Sequence, residues 1–403
     1  MAELPEFGGR ENIAQFAWYG LAGGIHNVEG FTIYPCGQDA YGNDVIEAHT
    51  KDFRANIVVS LIDVWVMHDT ARKVAPALWL PWLPIDHEPV PQRVLECLQG
   101  AFRPLTYSKW GHDLLANAGI ENTYIPHGIE PHIYNVNPNR DAVLQFKREM
   151  LRCNGHLTLM VAANKGYPDR KFFQGQLRAW AEFAKDKPDA RLYIHTEPTP
   201  LYGGLNMATL TQAIGIQDKV LFPDRYQYYK GIPSEFLAFI YNSADVLLSA
   251  SMSEGFGIPI IEAQACGVPV VVTDFSAMPE LVRWGVGVPP ADRIWTPMDS
   301  WQAWPDVRGI TDALEALYAE WHDNGGALPE DKRIQTQNAI HEEFSWDRIV
   351  ADQWAPLVAE IAQFAPPLTP TRPMVKPVSK PIAPAIATNG KMRIVSPKVE
   401  EVA

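Results

Sequence analysis

Ser253-Glu254-Gly255-Phe256-Gly257-Ile258-Pro259-Ile260-Ile261-Glu262-Ala263, followed by Cys266-Gly267-Val268-Pro269-Val270-Val271, is the most informative stretch of this sequence. Upstream of it, Ala244-Asp245-Val246-Leu247-Leu248 reads as a buried strand and Ser249–Ser253 as a short turn. The glycines of Gly255-Phe256-Gly257 let backbone approach a ligand closely. Pro259 suits the first turn of a helix, and Gly267 would end that helix soon after Ala265. Glu254 and Glu262, eight residues apart, then flank one helix N-terminus. Carboxylates hold hydroxyl groups, while unpaired amides and the positive end of a helix dipole hold phosphates. The stretch suits a ligand that carries both.

Around it, short apolar runs alternate with helical patterns. Ile57–Val66, Ala77–Pro84, Arg103–Tyr107, Leu157–Ala162, Arg191–His195, Val220–Phe222, Val246–Ser249 and Pro269–Thr273 read as strands. They are rich in Val, Ile, Leu and Trp and most lack strict alternation, as strands buried on both faces do. Phe173–Lys185 and Ser234–Asn242 read as helices. Alternating units of this kind predict an α/β chain with parallel sheets covered by helices. A length of 403 residues points to two domains. Asn, Pro and a charged helix separate two β/α series between His127-Gly128 and Leu157, which puts the boundary near Gly155 and predicts domains of 1–154 and 155–344. Ser345 is a candidate N-cap for a helix over 345–365, with Trp346, Ile349, Val350, Leu357, Val358 and Ile361 on one face. Residues 366–403 hold eight prolines and six Lys/Arg against two Glu, and are expected to form a disordered tail.

The net charge of −13 and a pI near 5.3 leave no overall basic footprint for a nucleic-acid backbone. Cys36, Cys97, Cys153 and Cys266 show no C-x-x-C pair and read as small apolar residues in a reducing compartment. The opening MAELPEFGGRE lacks the regions of a signal peptide. Asp63 interrupts NIVVSLIDVWVM, the best apolar run, so no stable membrane insertion is expected. These features predict a soluble, cytoplasmic protein. No D-x-D offers ligands for a metal-bound diphosphate, and no G-x-G-x-x-G supports a nicotinamide cofactor.

From Asn12 to Gln363, and most strongly from Asn242 to Glu280, the chain resembles the retaining, nucleotide-sugar-dependent glycosyltransferases of the GT-B fold, the family-4 type with its E-x7-E motif. The resemblance implies two Rossmann-like domains with a facing cleft, and a C-terminal helix crossing back to the first domain. It assigns Glu254 to the hydroxyls of a donor sugar and Glu262 to the nucleotide ribose. The backbone of Gly255, Phe256, Gly257 and Ile258 would meet the sugar and diphosphate. After the strand Leu157–Ala162 comes Asn164-Lys165-Gly166-Tyr167-Pro168-Asp169-Arg170-Lys171. Asn164 stands where the family carries an Arg, Arg170-Lys171 match its later cation, and Lys165 could replace the missing charge. Pro84-Ile85-Asp86-His87-Glu88 resembles the strand end at which the family places a His, so His87 is a candidate contact for sugar or acceptor. Tyr107-Ser108-Lys109-Trp110-Gly111 and Ile125-Pro126-His127-Gly128-Ile129 resemble landmarks before the domain crossover, with His127 shaping its loop.

Relatives of this type open with a strand, a Gly-rich loop and a helix. Leu4–Arg10 look like the end of that helix and Asn12–Trp18 like the next strand, so the first βα unit is expected to be absent. The implied activity is metal-independent transfer of a sugar from a nucleoside diphosphate to an acceptor hydroxyl, with retention and no further cofactor. Glycan, lipid, protein or a modified DNA base all suit the acceptor, and the oligomeric state is open. A nucleotide-sugar epimerase or hydrolase of the same architecture is the alternative, as is a donor-binding subunit inactive without the missing unit.

Overall fold

The computed structural model describes residues 8–16, 23–166, 169–199, 203–366 and 394–395. The chain divides into two compact units, after Pro126 and again after Trp346, and the segment from Asp347 groups with the N-terminal unit. The first division falls well before the expected boundary at Gly155. Helix Arg140–Glu149 accounts for the difference. Its Lys147 Nζ donates to the buried Asp245 at 2.5 Å, and Arg140 Nη1 donates to the Asn242 carbonyl at 3.1 Å. Asp245 Oδ2 also accepts from the amide of Leu157 at 2.7 Å. What reads as a charged linker is therefore pinned to the C-terminal sheet by its charge.

The C-terminal unit is built on one large sheet. Its strands lie in the order Gly285–Val288, Val270–Thr273, Val246–Ser249, Leu157–Val161, Arg191–His195 and Val220–Pro223, all parallel. Ile394–Val395 pairs antiparallel with Val220–Pro223; the rest of the expected disordered tail lies outside the described residues except Pro366. From Leu157–Val161 the chain winds outward to Val220–Pro223, then jumps back to Val246–Ser249 on the other side. Leu157–Val161 and Val246–Ser249 are thus neighbours, with Thr158 opposite Val246. The carboxyl ends of two such strands form the crevice where open α/β sheets bind ligands.

Both sheet faces are covered, which is why these strands are apolar without alternation. Trp180, Phe183, Leu192, Ile194, Val246, Leu248, Ile310 and Leu314 are buried in one cluster, each stabilising the fold by roughly 1.5–3 kcal/mol. Trp180 Nε1 donates to Thr158 Oγ1 at 2.9 Å, so its indole fills the core without a lost hydrogen bond.

In the N-terminal unit Ile57–Leu61, Leu78–Leu83, Leu105–Thr106 and Thr123–Tyr124 form a parallel sheet in chain order. The expected strand over Asn12–Trp18 is described as Ala14–Phe16 and belongs elsewhere. It pairs with Phe31–Tyr34, which also pairs antiparallel with His26–Val28. The segment after Ser345 is helical through Ile361, with a π-helical turn at Val350–Trp354 just before Pro356. Pro356 has no N–H to bond the carbonyl one turn back, and the wider turn accommodates it. Trp354 packs edge-on against Trp82 at 5.2 Å, and the Trp82 indole donates to the Ile125 carbonyl at 2.9 Å.

His156, which leads into Leu157–Val161, is 2 % exposed and ringed by Phe183, Tyr318 and Trp321. Both ring nitrogens lack a hydrogen-bond partner. Burial pulls its pKa down to about 4, with Asp245 opposing and Lys147 and Lys187 assisting. The folded protein therefore keeps His156 neutral, while the unfolded chain protonates it below its ordinary value. Stability is lost as pH falls from about 6.5 toward 4, by up to about 1.4 kcal/mol per pH unit for one proton. Urea unfolding at pH 7 and pH 5 should show a smaller acid loss in His156→Phe than in wild type; an equal loss would refute this account.

Candidate active site

Two loops meet at the carboxyl ends of Leu157–Val161 and Val246–Ser249, and backbone bonds join them. Met252 N donates to the Arg170 carbonyl at 2.9 Å. The buried Gln176 side chain accepts from Ala250 N at 2.8 Å and donates to the Lys171 carbonyl at 2.6 Å. Phe172 holds a left-handed conformation, φ 52°, with its ring buried against Trp304. A side chain tolerates that backbone at a cost of order 1 kcal/mol. The tight turn this makes leads from Arg170-Lys171 directly into helix Phe173–Phe183.

The cross-linked loops bring Glu254, Arg170 and Lys171 together. Lys171 Nζ donates to Glu254 Oε1 at 2.6 Å, and Arg170 Nη1 lies 3.3 Å from Oε2. Arg170 also donates to the Ser253 carbonyl. Glu254 is 8 % exposed. Burial pushes its carboxyl up, but Lys171 and Arg170 outweigh that, with a hydrogen bond from Ser251 helping, and hold it at about 2. The Glu254 amide donates to Ser276 Oγ at 3.0 Å. One carboxylate and two cations leave this cluster with a net positive charge, the sign an anionic ligand requires.

Helix Ile258–Ala265 starts immediately beyond, with Pro259 in its first turn. Gly257 precedes it at φ 114°, a backbone conformation that favours glycine. Phe256 is buried, its ring edge-on to His127 at 5.3 Å and to Phe344 at 5.8 Å. That packing takes its side chain into the interior, where it anchors the turn. Glu262 is held one turn into the helix. Tyr241 donates to its Oε2 at 2.8 Å and Tyr134 adds a second hydrogen bond. Burial raises the Glu262 pKa, opposed by those two hydroxyls.

The other expected site residues lie elsewhere or are otherwise engaged. Asn164 is buried, and its amide nitrogen donates to the Glu197 and Leu205 carbonyls at 3.0 and 2.7 Å while its oxygen accepts from Leu205 N at 2.9 Å. It ties two loops together instead of facing a phosphate. Lys165 is exposed. His87 belongs to the N-terminal unit, at the carboxyl end of Leu78–Leu83, with Nδ1 2.7 Å from Asp86 Oδ1. His127 sits against Phe256, and burial draws its pKa down to about 4. Gln176, Ser276, Tyr134 and Tyr241 were not anticipated. Each acts through at least one contact with a residue distant in the chain, and no local pattern marks a glutamine, serine or tyrosine for that.

The chain is similar to known proteins. Residues 165–316 match the family described as "Glycosyl transferases group 1". The fold is GT-B. A sucrose-phosphate synthase from Thermosynechococcus elongatus superposes with a TM-score of 0.65, covering 87 % of this chain and 89 % of that one at 16 % identity. An Anabaena protein crystallised with UDP-glucose has a TM-score of 0.55 over 75 % of this chain and 76 % of its own, at 15 % identity. Among curated relatives, a D-inositol 3-phosphate glycosyltransferase of Segniliparus rotundus is 35 % identical over 147 residues, 36 % of this chain and 30 % of that one. An O-antigen chain mannosyltransferase B of Escherichia coli is 43 % identical over 56 residues, 14 % of this chain and 15 % of its own. The matched stretch spans less than a third of either curated relative. In GT-B terms, the matched residues contain Arg170, Lys171, Glu254 and Glu262 together.

Gln176→Leu would strand a buried amide and a buried carbonyl. It should lower the unfolding free energy by about 2 kcal/mol or more, read from urea midpoints. An unchanged midpoint would show that Gln176 does not hold the loops.

Proposed function

We propose that the protein is a retaining glycosyltransferase, moving a sugar from a nucleoside diphosphate to an acceptor hydroxyl. The observation that carries the reading is the cluster of Glu254, Arg170 and Lys171 at the sheet's switch point, beside the start of helix Ile258–Ala265. Arg170 and Lys171 neutralise the diphosphate, and the Gly255–Ile258 backbone with its helix dipole adds to that field. Two fixed side-chain cations at that position do the work a divalent ion does elsewhere, so the reaction is proposed to need no metal. Glu254 accepts hydrogen bonds from the sugar and Glu262 from the ribose. His87, oriented by Asp86, is the proposed contact of the N-terminal unit with sugar or acceptor.

The bond between the anomeric carbon and the phosphate oxygen breaks as the acceptor oxygen bonds the same carbon on the same face. The departing phosphate oxygen takes the acceptor proton, so no protein base is required. Positive charge on the sugar and negative charge on the leaving group both grow along this path, and Glu254 and the two cations are placed to meet them. The matches to named sugar transferases support the reading, as does the Anabaena neighbour crystallised with UDP-glucose. A reducing, cytoplasmic setting agrees with four unbridged cysteines. No helix among the described residues is long and apolar enough to cross a membrane.

An incoming diphosphate competes with Glu254 for Lys171 and Arg170. Glu254→Gln should therefore bind UDP or GDP at least as tightly as wild type, yet transfer about 10²–10³-fold more slowly. Lys171→Ala should lose nucleotide affinity and transfer together. The assay is nucleotide release from UDP-, GDP- and ADP-sugars, with titration calorimetry for binding. Wild-type rates in both variants would sink the assignment.

A further inference from the structure

Gly285–Val288 is joined to helix Val307–Asp323 by residues 289–306, 18 residues (306 − 288) at the carboxyl edge of the sheet. Connections in such units usually run to about 2–6 residues, and long ordered ones are usually functional. This one is a hairpin, Asp292–Thr296 against Ser300–Trp304, hung on the candidate site. Ala303 N donates to the Met252 carbonyl at 3.1 Å, and Trp304 packs on Phe172, the residue after Lys171. Ile294 packs into the core cluster, while Ser300 and Gln302 are buried, which fixes the hairpin's inner side.

Its outer side is aromatic. Trp295 and Trp301 are two of the chain's 13 tryptophans. Trp295 and Trp301 are direct cross-strand partners with ring centroids 4.9 Å apart, edge to face, and remain 51 % and 37 % exposed. Arg293 lies on the same face, its guanidinium over Phe275 at 5.6 Å. A cross-strand pair steadies a two-stranded hairpin, but stability alone gives no reason to leave indole faces in water beside a ligand site. The charge of the connection selects the ligand. Asp292, Asp299 and Asp306 against Arg293 give 1 − 3 = −2 over residues 289–306, which repels phosphate backbones and anionic lipid. A pyranose ring is uncharged, and its C–H bonds, polarised by neighbouring oxygens, complement the negative face of an indole.

We propose that the Asp292–Trp304 hairpin is a carbohydrate-stacking platform that docks a pyranose of a glycan acceptor next to the transfer site. Its acceptor role rests on the transferase reading above; its affinity for sugar does not. The test applies the full chain to an array of immobilised oligosaccharides of gluco-, manno- and galactopyranose, with UDP titrated separately. Wild type should bind at least one glycan, and Trp295→Ala or Trp301→Ala should weaken that binding roughly 10-fold. Trp301→Tyr, which keeps an aromatic face, should retain most of it, and UDP affinity should be the same in all four proteins. Absence of glycan binding by wild type, or equal binding by folded alanine variants, would overturn the platform. So would tryptophan-dependent binding of a single-stranded oligonucleotide, or a tryptophan-dependent dimer in sedimentation, in place of glycan binding. Tryptophan-dependent glycan binding without any nucleoside-diphosphate binding would support the platform and overturn the transferase reading alone.

Discussion

A carboxylate placed at the end of two buried parallel strands has to be neutralised, and in this protein Glu254 is neutralised by Lys171 and Arg170. Burial alone would favour its protonated form, yet its pKa is held near 2. The organisation of the site follows from that pairing. Residues 83 or 84 apart in the chain must be held at hydrogen-bond distance, and adjacent parallel strands bring their carboxyl-end loops that close. Gln176 and the Met252–Arg170 backbone bond hold the register between the loops. Removing both cations would leave the buried Glu254 carboxylate unpaired, a larger loss than an ion pair itself is worth. The three side chains therefore form one functional unit.

The architecture of the C-terminal sheet was plain in the sequence because both its faces are covered, so its strands appear as apolar runs without alternation. Arg191–His195 and Val246–Ser249 agree residue for residue with the pattern. Ile57–Val66 shortens to Ile57–Leu61, since Asp63 breaks the run and Val64–Val66 turns into a 3-10 helix. Gly285–Val288 was missed because two of its four residues are glycines. Gly285 is there for steric reasons: at φ 145°, a Cβ would sit 2.0 Å from the Val270 carbonyl oxygen. The hairpin after it was missed because its aspartates and prolines look like an irregular loop.

The site was legible to a similar depth. Glu254, Arg170 and Lys171 could be named from the resemblance of their motifs, supported by their positions after strands, but nothing local shows that they touch. Asn164 could be read as the absence of a charge. Its actual partners, the carbonyls of Glu197 and Leu205, lie 33 and 41 residues further on, beyond the reach of any pattern. The domain boundary was misplaced for a related reason: Lys147 is 98 residues from Asp245, and an isolated lysine in a charged helix reads as solvated surface. Local chemistry is visible in sequence, whereas a polar side chain spent on a distant backbone group is not.

Helix Ile258–Ala265 buries Ile260, Ile261, Ala263, Gln264 and Ala265, and Gln264 is bonded to the Leu281 carbonyl at 2.9 Å and to Arg283 N at 2.6 Å. That packing and those bonds tie the helix to the rest of its unit. On the proposed chemistry, its N-terminus and the neighbouring cations hold the diphosphate at least as tightly after the sugar has gone, because the leaving group then carries more negative charge. The spent nucleotide keeps those contacts, so its departure, rather than bond making, would set the pace of turnover.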